Sequence, residues 1–169
     1  GIISGKLTAF VYLLMIKKEK IINMFPVGIP YMEDTIFCID LFLNCDSIYF
    51  LDDALYYYIL NESSATQNPK NLKRNINALL SVKKIISEIL LKYDIKEKKT
   101  LELLNNTLAR QILDFIYLIY YNKEDYIEII KNNGIKEFLL QSDKISLPIY
   151  NRLAQNFIIK GKTLKLRAL

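Results

Sequence analysis

The sequence predicts a mostly helical protein with a small α/β portion toward its N-terminal side. Three observations predict it. From about Asn71 onward, apolar residues recur at helical spacing: Leu79, Val82, Ile86, Ile89 and Leu90, then Leu101, Leu104, Leu108, Ile112, Phe115 and Ile119. Earlier, residues 47–51 and 54–59 are short runs rich in Tyr, Phe and Ile, side chains that suit a pleated surface. Gly (5) and Pro (4) are scarce in 169 residues, which argues for helix over long loops.

Taken in order, residues 6–18 read as a first helix, apolar on most sides and closed by Lys17 and Lys18. Pro26, Gly28 and Pro30 mark 19–31 as a loop. Residues 32–45 read as a helix whose broad apolar face carries Ile36, Phe37, Ile39, Leu41, Phe42 and Leu43. Two short strands follow, joined at Asp52-Asp53, and then a polar, turn-like stretch at 61–69. Helical patterns run near 70–92, 95–121, 123–132, 135–141 and 146–160. Asn133-Gly134 reads as a helix stop, with Ser146 as a cap before Pro148 in a first turn. The boundary lies near Pro69, giving a small α/β unit at 1–68 and a helical subdomain at 69–169.

Composition excludes several classes. With 51% hydrophobic and 24% charged residues there is material for a real core. His is absent and there are 2 Cys, so a zinc site is excluded as a working reading. On one helix Cys38 and Cys45 would stand about 10 Å apart along the axis, too far for a disulfide, which points to reduced thiols and a cytoplasmic setting. The net charge of +5 does not point to nucleic acid: Lys alternates with Glu and Asp through 83–137, and Arg74, Arg110, Arg152 and Arg167 are scattered. The tail, with Lys160, Lys162, Lys165 and Arg167, reads either as a frayed basic end or as a patch for anionic lipid headgroups, a peripheral contact with the inner face of the membrane. The apolar run 7–16 is too short to span a bilayer. A start at Gly1 without a recognisable signal peptide reads as a fragment or processed product.

The chemistry-bearing feature is Glu33-Asp34, where a turn-forming stretch from Phe25 runs into an apolar helix. Acids in a first turn have a simple structural explanation, because they complement the helix dipole and its free N–H groups. They also have a chemical use. A carboxylate held rigidly at a helix start, ionised near neutral pH and facing a cleft, can take a proton from a hydroxyl as that hydroxyl attacks carbon.

The ordered set Phe25-x-x-Gly28, Glu33-Asp34, Tyr56-x-Tyr58 and Ser63-Ser64-x-Thr66 resembles the acceptor half of a family 2, GT-A-type glycosyltransferase, over roughly residues 5–68. It looks closest to bacterial transferases that build capsule, lipopolysaccharide or cell wall. The resemblance implies a C-terminal remnant of a GT-A fold followed by a helical subdomain. It implies Asp34 as catalytic base, with Glu33 orienting it or binding an acceptor hydroxyl, and substrate contacts from Tyr58, Ser64 and Gly28. It implies a nucleotide-sugar donor, a glycan or lipid-linked acceptor, and Mg²⁺ or Mn²⁺ held by an Asp-x-Asp motif in a preceding donor-binding half. No Asp-x-Asp lies upstream of Asp34, and Asp52-Asp53 lies downstream without that spacing. The chain is therefore expected to hold neither the metal ligands nor the donor site, and to be inactive alone. The competing readings are a non-catalytic helical interaction module and a degenerate transferase remnant. Tyr56–Tyr58 could equally pack a core, and Ser63, Ser64 and Thr66 could simply stabilise a turn.

Overall fold

The computed structural model describes residues 1–3, 7, 9–57, 59, 69–122, 127–143 and 149–160. Six α-helices occur among them: α1 (Glu33–Leu43), α2 (Leu72–Lys92), α3 (Lys98–Tyr121), α4 (Ile127–Lys131), α5 (Asn133–Leu140) and α6 (Ile149–Ile159). Short 3₁₀ turns occur at Val11–Leu13, Lys18–Lys20 and Pro69–Asn71.

The centre is the α2/α3 pair. Along α2, Leu72, Ile76, Leu79, Val82, Ile86 and Leu90 are buried at successive three- and four-residue steps. Along α3, Leu104, Leu108, Ile112, Ile116 and Ile119 do the same. Each stripe buries its face against the other, and this burial stabilises the helices far more than their propensities do. Ile129, Ile130, Ile135, Phe138, Leu139 and Ile158 join the same cluster from α4, α5 and α6. Gln155 of α6, fully buried, donates from Nε2 to the Leu139 carbonyl at 2.6 Å and to Ser142 Oγ at 2.8 Å, tying α6 to the end of α5.

The turn from α2 to α3 has a clear cause. Asp94 sits in the left-handed region (φ 57°), the Asp94 N–H donates to the Leu91 carbonyl at 3.0 Å and the Ile95 N–H to the Leu90 carbonyl at 2.8 Å. This is a Schellman closure, with the short polar Asp side chain in the position usually given to Gly. Ile95 then packs back on the core beside Leu90. Residues 95–97 are consequently spent on the turn, and α3 begins at Lys98 rather than at 95.

Asn133-Gly134, read as a stop, lies inside α5. The break between α4 and α5 is at Asn132, whose side chain accepts from the N–H groups of Gly134 (2.9 Å) and Ile135 (3.4 Å) and so starts α5 at once. Ser146 and Pro148 lie outside the described residues.

The N-terminal side departs from expectation. Among its described residues, 6–18 is extended chain with a single 3₁₀ turn, not a helix. Ala9, Val11, Leu14 and Ile16 pack inward against Phe37, Cys38 and Leu41, while Tyr12, Leu13 and Met15 face outward. Near-alternate burial needs an extended backbone, and a run apolar on every side does not reveal which period will be used.

Residues 47–57 and 59 form no strand, and no strand occurs among the described residues. This corrects the expectation of a small α/β portion and of a C-terminal remnant of a GT-A fold. A strand is stable through its ladder with a neighbour, and no described segment supplies one. The segment stays exposed, with Tyr49, Phe50, Leu51, Leu55, Tyr57 and Ile59 largely outside any core.

α1 is the joint between these regions. Ile36 and Ile39 belong to the α2–α6 cluster, while Phe37, Cys38 and Leu41 hold the extended N-terminal segment. Pro69 opens the 3₁₀ turn that precedes α2, and Ile36 and Ile39, before it in the chain, share one core with residues of α2–α6. Among the described residues, no helix is long and apolar enough to cross a membrane.

Candidate functional site

Glu33 and Asp34 form the first turn of α1. The chain enters that turn through Gly28 (φ 79°) and then Met32 (φ 63°, ψ 21°). A left-handed conformation costs a non-Gly residue roughly 1–2 kcal/mol, so the entry is held in place by the packing on both sides of it. At Gly28 an added Cβ would meet nothing within 4 Å, so glycine there serves backbone conformation and not close approach. Tyr31, one residue before Met32, sets its ring edge-on against Phe115 of α3, with centroids 5.2 Å apart. That contact ties the start of α1 to the middle of the bundle.

Met32 offers no side-chain cap to α1. Asp34 partly replaces it: the backbone N–H of Thr35 donates to Asp34 Oδ1 at 2.7 Å, and Thr35 Oγ1 lies 3.4 Å from the same oxygen. Among the described residues no hydrogen bond reaches Asp34 Oδ2. Glu33 and Asp34 are both partly buried.

The field of these acids is felt locally. Burial pushes the Tyr31 phenol above its ordinary value, and Asp34, Asp114 and Glu33 push it further the same way. Burial raises the Cys38 thiol to about 11, with Asp34 adding to the effect. Both groups are therefore uncharged near neutral pH. Asp114 of α3 is turned toward α6, accepting from Asn151 Nδ2 at 3.2 Å, with Arg110 Nε 3.8 Å away.

A second carboxylate on α1 was not singled out by sequence. Asp40 lies on the buried side of the helix, accepts from Asn23 Nδ2 at 2.6 Å and pairs with Lys92 Nζ at 3.1 Å. Burial disfavours its charge, but the bonds from Asn23, Lys92 and Tyr93 outweigh that and hold its carboxyl below the usual range. It fastens α1 to the 19–31 loop and to the end of α2. The signal was present in the sequence, as one acid between Ile39 and Leu41 on an otherwise apolar helix. A hollow of about 210 Å³ adjoins it, lined by Met24, Pro26, Ile36, Phe37, Ile85 and Ile89 besides Asn23 and Asp40. Its walls are apolar and its one carboxylate is engaged, which makes it a packing recess.

Of the expected site residues, Glu33 and Asp34 are adjacent at one helix start and Gly28 stands in the loop before them. Tyr58 and Ser64 lie outside the described residues, as do Ser63 and Thr66. Tyr56 is half-exposed and stacks on Tyr12 at 4.7 Å, which in turn stacks on Phe10 at 5.3 Å. Among the described residues no three Cys, Asp or Glu side chains come together as a metal would require, and Asp52 and Asp53 stand on exposed chain. The chemistry of Asp34 is derived below without a metal ion.

No protein-family model matches the chain, no curated protein matches it, and no solved structure matches it.

Proposed function

We propose that this chain is the acceptor-side part of a glycosyltransferase that moves a sugar from a nucleotide-sugar to an acceptor hydroxyl in bacterial surface-polysaccharide or cell-wall synthesis. The observation that carries the reading is Asp34: a carboxylate at the first turn of a well-anchored helix, partly buried, with Oδ1 held by Thr35 and no hydrogen bond on Oδ2 among the described residues. The ordered Phe-x-x-Gly, Glu-Asp, Tyr-x-Tyr and Ser-Ser-x-Thr residues supply the substrate class. In the step proposed, the acceptor oxygen forms a bond to the anomeric carbon and the bond from that carbon to the nucleotide diphosphate breaks. The diphosphate leaves with the electron pair, and the hydroxyl proton passes to Asp34. Glu33 assists by holding an acceptor hydroxyl. Donor recognition and any divalent cation are assigned to polypeptide other than the residues described, and the basic tail to contact with a membrane that carries a lipid-linked acceptor.

The test is sugar transfer by the complete polypeptide, wild type against Asp34→Asn. Loss of a general base lowers kcat by roughly 10²–10⁴-fold. Donor binding and the circular-dichroism spectrum stay as in the wild type. Turnover by Asp34→Asn at the wild-type rate sinks the assignment. A second reading, a non-catalytic helical interaction module, is favoured by the exposed aromatic and aliphatic side chains of Ile48, Tyr49, Phe50, Leu51, Leu55, Tyr57 and Ile59. It expects the complete polypeptide to bind no nucleotide-sugar.

A further inference from the structure

Two segments of the N-terminal side run past each other in opposite directions and are pinned at both ends. At one end Tyr12 stacks on Tyr56, with centroids 4.7 Å apart. At the other, Lys20 Nζ pairs with Asp46 Oδ2 at 2.7 Å, and Asn44 Nδ2 donates to the Lys20 carbonyl at 3.1 Å. Residues 12–20 therefore lie alongside 46–56 as one surface. Leu14 and Ile16 pack inward with Phe37, Cys38 and Leu41, so α1 backs this surface. Its outer side is apolar and uncovered: Leu13, Met15, Tyr49, Phe50, Leu51 and Leu55 are between 52% and 95% exposed. Apolar side chains gathered in this way mark an interaction surface, where the same residues scattered singly would not. One aromatic side chain can bury about 150–250 Å². The six can therefore supply much of the roughly 800 Å² that each partner gives to a standard interface.

The charges decide what fits it. Lys17 and Lys18 lie toward the Lys20–Asp46 pin, Asp52 and Asp53 toward the Tyr12–Tyr56 pin, and all four are exposed. Among the described residues no ion pair reaches any of them. Glu19, between Lys18 and Lys20, still leaves its end net positive. One end of the surface is thus basic and the other acidic. A twofold axis through its middle lays the basic end of one copy over the acidic end of the other, and does so twice. A bilayer fits less well, because Asp52-Asp53 interrupts the apolar run and would carry unpaired acids toward anionic headgroups. We propose that this surface is the interface of a twofold homodimer, in which Lys17 and Lys18 of one protomer face Asp52 and Asp53 of its partner. The apolar side chains supply the area. The charges set the register and disfavour the other twofold arrangement, which would place like ends together. The inference does not depend on Asp34 being a base.

The test is sedimentation velocity of the complete polypeptide over a range of concentrations. The wild type is expected at twice the monomer mass. Reversing one end, by Lys17→Glu with Lys18→Glu or by Asp52→Lys with Asp53→Lys, sets like charges opposite each other at both symmetric contacts. Each double variant alone should dimerise at least about tenfold more weakly. Mixed together they should form the heterodimer, because both contacts then join opposite charges, and the variant carrying all four reversals should dimerise like the wild type. Tyr49→Ser with Phe50→Ser should be monomeric through lost apolar area. All of these side chains are exposed, so circular dichroism of the variants should match the wild type. Should the Tyr49→Ser, Phe50→Ser variant not fold, the charge reversals decide alone. A wild type that stays monomeric at every concentration overturns the proposal, whichever other partner or segment covers the face. So does a dimer indifferent to the single-end reversals, or one that the four-reversal variant does not restore, because the interface would then lie elsewhere or in another register.

Discussion

Removing Ile39 should release the carboxylate-bearing helix without melting the bundle. Ile39 is 5% exposed and, with Ile36, is the apolar anchor of α1 on the α2–α6 cluster. Ile39→Ala deletes buried methyl and methylene groups, and such deletions cost about 2–5 kcal/mol according to how well the site collapses. The flank of α1 toward the 44–57 segment is without regular structure, so little else there resists its opening. About 3 kcal/mol is therefore expected to appear first as local opening of α1, not as global unfolding. Amide hydrogen exchange reads this directly: at one factor of ten per about 1.4 kcal/mol, amides of residues 37–43 should exchange about a hundredfold faster. Amides at Ile86, Leu108 and Ile112, which lie in the α2/α3 seam, should keep their protection. Leu91→Ala, at a position 59% exposed on α2, serves as the control and should change stability by less than about 0.5 kcal/mol. An equal loss of protection in α1 and in the α2/α3 seam would refute the reasoning, because α1 would then belong to one cooperative unit with the bundle.

Three further outcomes are expected. Because the bonds to Asp40 hold its folded-state carboxyl below its unfolded value, its contribution is present above the ordinary carboxylate range and is lost as pH falls through the folded value; urea midpoints measured from pH 7 downward should fall more steeply for the wild type than for Asp40→Asn, and parallel curves would remove Asp40 from the account. Cys38, buried and with its thiol raised to about 11, should resist a disulfide reagent at pH 8 until the protein unfolds, whereas the half-buried Cys45 reacts first; mass spectrometry of the labelled peptides checks the order, and equal rates contradict the packing of Cys38. Asn132→Ala removes the side chain that caps α5 and should cost about 1 kcal/mol in a thermal melt, with Asn132→Asp close to the wild type; no difference between the two variants would mean the cap is not used.

The helical bundle was legible because its signal is redundant. Leu79, Val82, Ile86, Leu104, Leu108, Ile112 and Ile119 were marked by spacing alone and all are buried, since long stripes leave one solution for the face. Leu101 carries the same spacing but stays at the surface, because it sits in the first turn of α3, before the helix is fully covered. The N-terminal side was not legible for two different reasons. Residues 9–16 are apolar in every register, so neither period was excluded. Residues 47–59 have the side chains of strands, but strand formation is decided by a ladder partner, which a local sequence does not contain. At the candidate site, the placement of Glu33-Asp34 at a helix start was readable from turn residues followed by an apolar run. The left-handed Met32 and the two Thr35 donors on one oxygen of Asp34 were not, because backbone strain and rotamer choice follow from tertiary packing. The Asp40 clamp joins residues far apart in sequence, so only its odd position on an apolar helix hinted at it.

In the proposed reading, the distribution of anchors is what lets so small a feature act as a site. α1 is gripped on one face by Ile36 and Ile39, on the other by Phe37, Cys38 and Leu41, and near its C-terminal half by Asp40 through Lys92 and Asn23. The Asn44 side chain donates to the Lys20 carbonyl at 3.1 Å and Lys20 pairs with Asp46 at 2.7 Å, so the chain before the helix is also laced to the chain after it. Exposed pairs such as Lys20–Asp46 add little energy, but they limit how the loop can move. At the N-terminal end the grip passes to the Tyr31–Phe115 contact and the strained Met32. In the proposed reaction a displacement of about 1 Å in a reacting group can cost about a hundredfold in rate. On that scale the bundle's part in the proposed reaction is to hold Asp34 still, and a loss of packing at Ile39 is expected to reach the site as lost position before it reaches the fold as lost structure.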